Sequence, residues 1–175
     1  MKKITQLLLI LPFLLFSCSS DDEIKEDPKS RYAMTATING QSFMGSNLFS
    51  NIYSSTNIWS YYPIEDFVML QGRQGGTGNP EINIWLKRTK IAVGTYAVTT
   101  DENNPTSHAI DLTDLSTEAM EYTKEGTITI IEVNNTSKTV RGTFKFTTSS
   151  TFDNQIDTNY TITDGTFNYQ YEDIK

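Results

Sequence analysis

The stretch that decides the fold is Val140-Arg141-Gly142-Thr143-Phe144-Lys145-Phe146-Thr147, in which apolar and polar side chains alternate. Successive side chains of a β-strand point to opposite faces of its sheet, so residues two apart share a face. One parity of this stretch is apolar and the other is polar. The apolar face carries Val140, Phe144 and Phe146, and the polar face carries Arg141, Thr143 and Lys145. The pattern predicts a strand with one buried face and one face in water.

The segments on either side of this strand extend the same pattern. Residues 126–133 alternate in the same way and reach it through Asn134-Asn135-Thr136-Ser137-Lys138, a polar segment of hairpin length. A second hairpin is predicted at Asn39-Gly40, the dipeptide that best tolerates two left-handed residues. Towards the C-terminus the parity of the apolar residues changes across Asp164-Gly165, which predicts a bulge or a turn.

The rest of the mature chain adds further strand-like runs and no sustained helical spacing. These runs cover residues 67–71, 81–88, 94–99, 108–112 and 120–122. We therefore predict one all-β domain over residues 31–175, built as an antiparallel β-sandwich of roughly eight to ten strands. A closed lipocalin-like β-barrel is the alternative, since a period of two is common to both architectures.

The N-terminal residues are typical of an exported protein. Lys2 and Lys3 precede an uncharged apolar run that ends at Phe16, too short to span a bilayer but suited to a signal peptide. This predicts a signal over residues 1–17. Residues 18–30 are rich in Ser, Asp, Glu and Lys, so we predict a disordered acidic tether before the domain.

Two resemblances add a location to this interpretation. Leu15-Phe16-Ser17-Cys18 resembles the lipobox of bacterial lipoproteins, which implies that Cys18 becomes the acylated N-terminus and anchors the protein to a membrane. The following Ser19-Ser20-Asp21-Asp22-Glu23 resembles the acidic signal that sends lipoproteins of Bacteroidetes-type bacteria to the cell surface. Together they imply a lipid-anchored protein of the outer membrane, exposed on the cell.

The domain itself is similar to an uncharacterised family of Bacteroidetes lipoproteins. Five strand-and-turn motifs carry the resemblance: Ala36-Thr37-Ile38-Asn39-Gly40-Gln41-Ser42-Phe43, Gly94-Thr95-Tyr96, Gly126-Thr127-Ile128-Thr129-Ile130, Gly142-Thr143-Phe144-Lys145-Phe146 and Ile162-Thr163-Asp164-Gly165-Thr166-Phe167. They span nearly all of the mature domain. The resemblance implies a fold and a location, and no known activity.

Charge and composition disfavour several classes of function. Asp and Glu number 21 against 14 Lys and Arg, a net charge of −7, so the clustered cations that bind nucleic acid are missing. His108 is the only histidine, which rules out two-histidine zinc motifs, and its parity with Ile110 and Leu112 predicts a structural role. The single cysteine is assigned to lipid. We predict no cofactor, no metal and no nucleic-acid partner.

Abundant carboxylates leave an enzymatic alternative open. A glycan hydrolase needs only two carboxylates at a suitable spacing, and the sequence cannot supply that distance. Residues 101–104 and 153–157 are rich in acids and amides that could bind calcium, but neither segment matches an EF-hand loop. Gly40-Gln41-Ser42 lacks the second glycine of a hydrolase nucleophile elbow.

The best lead to a binding site is aromatic. Asn83, Trp85 and Lys87 alternate with apolar residues, which places Trp85 on the polar face of its strand. Trp59, Tyr61 and Tyr62 lie close together in sequence, and flat aromatic surfaces stack sugars or hold peptides. These four residues form the predicted ligand site. The alternative is that the strands bury both faces, or that the rings cover a sheet edge.

The sequence thus predicts a non-catalytic, surface-displayed binding or accessory module for a glycan or a protein. Two other hypotheses remain beside it, namely a carboxylate-dependent glycan hydrolase and a structural component of an envelope complex.

Overall fold

The computed structural model describes residues 33–46, 65–74, 80–99, 107–116, 119–150 and 159–171. These residues form nine β-strands and one short 3₁₀ turn at Arg88–Lys90. The strands are β1 (Ala33–Ile38), β2 (Gln41–Ser46), β3 (Phe67–Arg73), β4 (Glu81–Lys87), β5 (Gly94–Val98), β6 (Ala109–Asp114), β7 (Ala119–Asn134), β8 (Thr139–Ser149) and β9 (Thr161–Gln170). The predicted all-β class and strand number are confirmed.

The strands pair antiparallel in one sheet that nearly closes on itself. Its order is β5-β7-β6-β4-β3-β2-β1-β9-β8, and β7 also pairs with β8. Among the described residues the β2–β3 pairing is the shortest, with Ser46 opposite Arg73 as its one paired position. A nearly closed sheet of this kind is compatible with both predicted architectures, the sandwich and the barrel. The described residues contain no helix that is long and apolar enough to cross a membrane.

The interior of the sheet is apolar, as the alternation in β8 predicts. Val140, Phe144 and Phe146 are buried, whereas Arg141 and Lys145 are exposed. The same core receives side chains from every other strand, among them Phe43, Leu70, Ile84, Val98, Ile110, Ile128 and Tyr169. Burial of this apolar surface is the main favourable contribution to the stability of such a domain.

Both predicted hairpins are present. β1 and β2 are joined by Asn39 and Gly40, whose φ angles of 46° and 80° are the two left-handed conformations of a tight hairpin turn. β7 and β8 pair from Asn134 opposite Thr139 down to Tyr122 opposite Ser149. The Asn134 side chain accepts hydrogen bonds from the backbone N–H groups of Thr136 and Ser137, which stabilises this second turn.

β7 is longer than the sequence pattern indicates. The sequence predicts two separate runs, at 120–122 and 126–133, but the structure has one strand over Ala119–Asn134. Its register against β8 shifts between Thr123 and Glu125, and the buried positions change from odd to even numbers across that shift. A β-bulge of this kind interrupts the period of two without ending the strand. The bulge predicted at Asp164-Gly165 is confirmed, since Asp164 has a φ of 51° inside β9.

Glycine and phenylalanine face each other at three cross-strand positions in two strand pairs, which explains three of the repeated Gly-Thr motifs. Gly126 lies opposite Phe146 in the β7–β8 pair, and in the β8–β9 pair Gly142 lies opposite Phe167 and Gly165 opposite Phe144. A Cβ on Gly165 would lie 2.5 Å from the Phe144 ring. The glycines therefore leave the space that the rings of the core fill.

Candidate functional site

The outer face of β3, β4 and β6 carries polar side chains in cross-strand rows. Val68, Leu70, Ile82 and Ile84 point into the core, so the residues between them point outward. The pairing places Gln71, Asn83 and Asp111 in one row and Met69, Trp85 and Ala109 in the next. Arg73, Glu81 and Thr113 form a third row beside them.

Trp85 lies on the face that the sequence predicts, but the prediction that its ring is exposed is wrong. The residue is only 3% exposed and belongs to a second apolar cluster with Phe67, Met69 and Ala109. Its indole N–H donates a hydrogen bond of 2.6 Å to the Asp111 carboxylate. A large ring is buried here because the polar tip has a partner and the apolar body has apolar neighbours. Both faces of β4 are therefore buried, as the alternative interpretation held.

Asp111 is the centre of this buried cluster, which we call the Trp85–Asp111 cluster. Its second carboxylate oxygen accepts a hydrogen bond of 3.1 Å from the side-chain amide of Asn83. Burial raises the pKa of Asp111 to about 7, although the hydrogen bonds from Trp85 and Asn83 act in the opposite direction. The charge of nearby Glu81 raises the pKa further.

Glu81 belongs to the same cluster, but its charge is compensated by a cation, Arg73. The Asn83 amide donates to Glu81 as well, over 3.2 Å, and the Arg73 guanidinium donates to it from the other side, over 2.6 Å. Arg73 thus compensates one of the two carboxylates, and none of the described residues forms an ion pair with Asp111. A carboxylate in such surroundings is stabilised by neutral donors or by protonation.

The pairing of Asp111 with Glu81 bears on the hydrolase hypothesis. An acid with a raised pKa beside an ionised carboxylate is the combination that glycosidases use. Here, however, Asp111 is 4% exposed and Glu81 is 4% exposed, and the oxygens of both already accept hydrogen bonds from protein groups. Because both carboxylates are buried and already hydrogen-bonded, a structural role for Asp111 and Glu81 is favoured over contact with a substrate.

A second polar cluster lies on the inner side of the sheet at one end. Glu121 is 3% exposed and accepts hydrogen bonds from Thr148, at 3.1 Å, and from Asn159, at 2.7 Å. Tyr160 donates to Asp114 over 3.1 Å. Burial raises the pKa of Tyr160, and the Asp114 and Glu121 carboxylates raise it further. These bonds connect β6, β7, β8 and β9 where each strand begins or ends.

His108 has the structural role that the sequence predicts. It is 2% exposed, its Nδ1 accepts a hydrogen bond of 3.0 Å from the backbone N–H of Lys87, and its ring packs edge-on against Tyr96. Burial lowers the pKa of His108 to about 4, and the charge of Lys90 lowers it further. The ring is therefore neutral at physiological pH and joins the start of β6 to the end of β4.

An open groove lies on the outer face of β7, β8 and β9. Its volume is about 410 Å³, within the range of small-molecule sites. The walls carry two charged side chains, Glu125 and Lys145, and the hydroxyl groups of four threonines. These are Thr127, Thr147, Thr161 and Thr163. Gly126, Phe146 and Ile162 contribute to the floor. We call this feature the β7–β9 groove.

Two of the three strands of the groove, β7 and β9, carry a bulge at this point. The register of β7 against β8 shifts between Thr123 and Glu125, and that of β8 against β9 shifts between Phe144 and Phe146. In β9 the left-handed Asp164 directly follows a groove residue, Thr163. Bulges bend a strand and redirect its side chains, and they are frequent beside functional sites. No periodic pattern in the sequence indicates that these two bulges lie close together in space.

Of the four aromatic residues predicted as a ligand site, the structure describes Trp85 alone. Trp59, Tyr61 and Tyr62 lie outside the described residues, as do Cys18 and the two acid-rich segments at 101–104 and 153–157. Their assigned roles stay predictions. Within the described ranges, no three His, Cys, Asp or Glu side chains are grouped so that they could hold a metal ion.

These observations define a β-sheet domain with an apolar interior, a buried polar cluster on one outer face and an open groove on another. A family model described as a domain of unknown function, DUF6252, matches residues 33–170. The chain belongs to this family. No curated protein and no solved structure matches it.

Proposed function

We propose that this protein is a non-catalytic lipoprotein displayed on the cell surface, where its β-domain acts as a ligand-binding or accessory module. The observation that carries the proposal is the β7–β9 groove, which is open, of ligand size and lined by charged and hydroxyl groups. A rigid sheet holds these groups in place, and rigid elements make precise binding sites. The buried positions of Asp111 and Glu81 favour binding over catalysis.

The ligand on this proposal is a glycan or a protein outside the cell. The test is a screen of the purified full-length lipoprotein in detergent micelles against a glycan array and against solubilised envelope proteins. We expect saturable binding to at least one class and no turnover of the bound ligand. Binding to neither, combined with hydrolysis of a glycan substrate, would replace this proposal with the hydrolase. Stable co-purification with envelope proteins alone would instead support the structural component.

The lipid anchor is tested separately at Cys18. Replacing Cys18 with serine removes the sulfur that accepts the lipid, so we expect the variant to lose labelled fatty acid and to leave the membrane fraction. Ser20→Ala, two residues away, is the matched control and is expected to keep both. Intact mass measurement of the mature N-terminus reads the acyl groups directly. A fully acylated Cys18→Ser variant would disprove the assignment.

The proposed display on the cell surface is tested separately, through the acidic residues that follow Cys18. In the test variant, alanine replaces Asp21, Asp22 and Glu23 together. We expect this variant to keep its lipid but to stay inside the cell envelope, where protease added to intact cells does not reach it. A variant that is cleaved as fast as the unchanged protein would separate surface display from this segment.

A further inference from the structure

We infer that the β7–β9 groove binds a neutral, polyhydroxylated ligand of the saccharide class. This inference rests on the proposed binding function and names the ligand class of the same site. Its basis is a set of polar groups that converge on the groove and have no partner among the described residues. In the described part of the chain, no ion pair or side-chain hydrogen bond involves Glu125, Lys145, Thr127 or Thr147.

The same face of the sheet shows what such residues do elsewhere. Arg141 on β8 forms an ion pair of 2.7 Å with Glu132 on β7. Threonines on other strand pairs bond across the sheet, Thr35 with Thr166 at 2.6 Å and Thr95 with Thr129 at 3.0 Å. Some charges and hydroxyls on the outer face therefore bond one another across the sheet. In the described residues the side chains of Glu125, Lys145, Thr127 and Thr147 do not, and they line one groove.

The register explains why the two groove charges do not pair. Lys145 lies opposite Thr127, and Glu125 lies opposite Thr147. The charges are therefore diagonal neighbours, at a typical residue separation of roughly 7–8 Å, and a bulge lies beside each of them. A group bound between them can accept from the ammonium and donate to the carboxylate at the same time.

The chemistry of the lining selects among ligand classes. One cation and one anion disfavour a ligand of high charge of either sign, because each sign meets a repelling group. Each threonine hydroxyl both donates and accepts a hydrogen bond, which matches the hydroxyls of a sugar. Threonine methyl groups, the Lys145 stem and the Phe146 edge supply apolar surface for the C–H faces of a sugar ring.

A protein partner is a poorer fit to the same groove. Binding energy at protein interfaces is concentrated in exposed Trp, Tyr and Arg side chains. None of the groove-lining residues is one of these three types. The exposed large apolar residues of the described chain, Met44, Val93 and Ile131, are not part of the lining. The groove therefore lacks the anchor that a protein ligand needs and has the hydrogen-bonding groups that a saccharide needs.

The test uses the full-length lipoprotein in detergent micelles and a panel of immobilised neutral oligosaccharides. The groove variant carries Lys145→Ala with Glu125→Gln. The matched control carries Arg141→Ala with Glu132→Gln, the same two charge changes on the same two strands outside the groove. A second groove variant, Thr161→Trp, fills the space at an exposed position and leaves the charges unchanged.

We expect both groove variants to weaken binding of the best oligosaccharide at least tenfold and the control to stay within twofold. Raising the salt concentration from 50 to 500 mM shortens the Debye length about threefold. We expect the affinity for the oligosaccharide to stay unchanged over this range, because the ligand is neutral. Circular dichroism and thermal melting establish that each variant is folded.

Three outcomes would overturn the inference. Oligosaccharide binding that all variants retain would locate the site elsewhere and leave the proposed binding function intact. Binding of an envelope protein without any oligosaccharide would also leave that function intact while rejecting the ligand class. Binding of neither class by the unchanged protein would reject the inference and the proposed function together.

Discussion

Replacing Trp85 with alanine is expected to lower the free energy of unfolding by about 3–5 kcal/mol, the usual cost of deleting a buried aromatic ring. The ring is 3% exposed and packs with Phe67, Met69 and Ala109, so its removal leaves a cavity. The change also removes the indole N–H that donates to Asp111. Urea denaturation monitored by circular dichroism measures the loss.

Two further variants separate packing from hydrogen bonding. Trp85→Phe keeps most of the ring but removes the donor to a buried carboxylate, and we expect it to cost about 1–3 kcal/mol. Met44→Ala is the control, because Met44 is a large apolar residue that is 67% exposed, and a change of less than about 0.5 kcal/mol is expected. A Trp85→Ala protein as stable as the control would mean that the ring is exposed in solution, as the sequence pattern predicts.

The second large effect concerns the pH dependence of stability through Asp111. Its pKa is about 7 in the folded protein against an ordinary value of 3.8, so between these two values the folded state binds more protons than the unfolded chain. Stability from this group is therefore complete below about pH 4 and is lost as the pH rises through 7. The difference between the two pKa values corresponds to up to roughly 4 kcal/mol.

Asp111→Asn removes this titration. We expect the free energy of unfolding of the variant, relative to the unchanged protein, to rise by about 2–4 kcal/mol between pH 4.5 and pH 8. At the acidic end the variant is expected to be less stable, because an asparagine directs an N–H₂ group at one of the two donors that Asp111 accepts from. Chemical denaturation at a series of pH values measures both proteins.

Comparing the two proteins at each pH also removes the contributions of other groups. His108 acts in the opposite direction, since burial lowers its pKa to about 4 and its contribution is lost as the pH falls from 6.5 through 4. That contribution is present in both proteins and cancels in the difference. A difference that stays constant from pH 4.5 to pH 8 would show that Asp111 is ionised normally and that its surroundings are open to water.

The Trp85–Asp111 cluster shows which properties the sequence pattern predicts and which only the structure reveals. The alternation of β4 correctly predicts which face Trp85 is on. Its prediction that this face meets water is wrong, because the neighbours that bury the ring come from β3 and β6. Met69 and Ala109 are distant in sequence and become adjacent only through strand pairing. The sequence offered no signal for the Asp111 partnership beyond an acid within an apolar run.

The β7–β9 groove likewise combines a property that the sequence predicts with one that only the structure reveals. Lys145 is on the polar face of its strand in the sequence pattern as well as in the structure, whereas Glu125 lies between two predicted runs and is part of β7 in the structure. They line one groove because a bulge in β7 and a bulge at the left-handed Asp164 of β9 lie on either side of β8. Only the bulge at Asp164-Gly165 leaves a trace in the sequence, as a change of parity.

The local chemistry of the chain was sufficient for the all-β class, the two hairpins and the inward faces of the strands. These properties depend on residues two apart and on turn dihedrals, which short-range sterics dictate. The tertiary structure alone decided that the sheet nearly closes, that Trp85 is buried beside Asp111, and that unpaired charges and hydroxyls meet in one groove. Those properties depend on which strands become neighbours, and a strand's own alternation does not encode its partner.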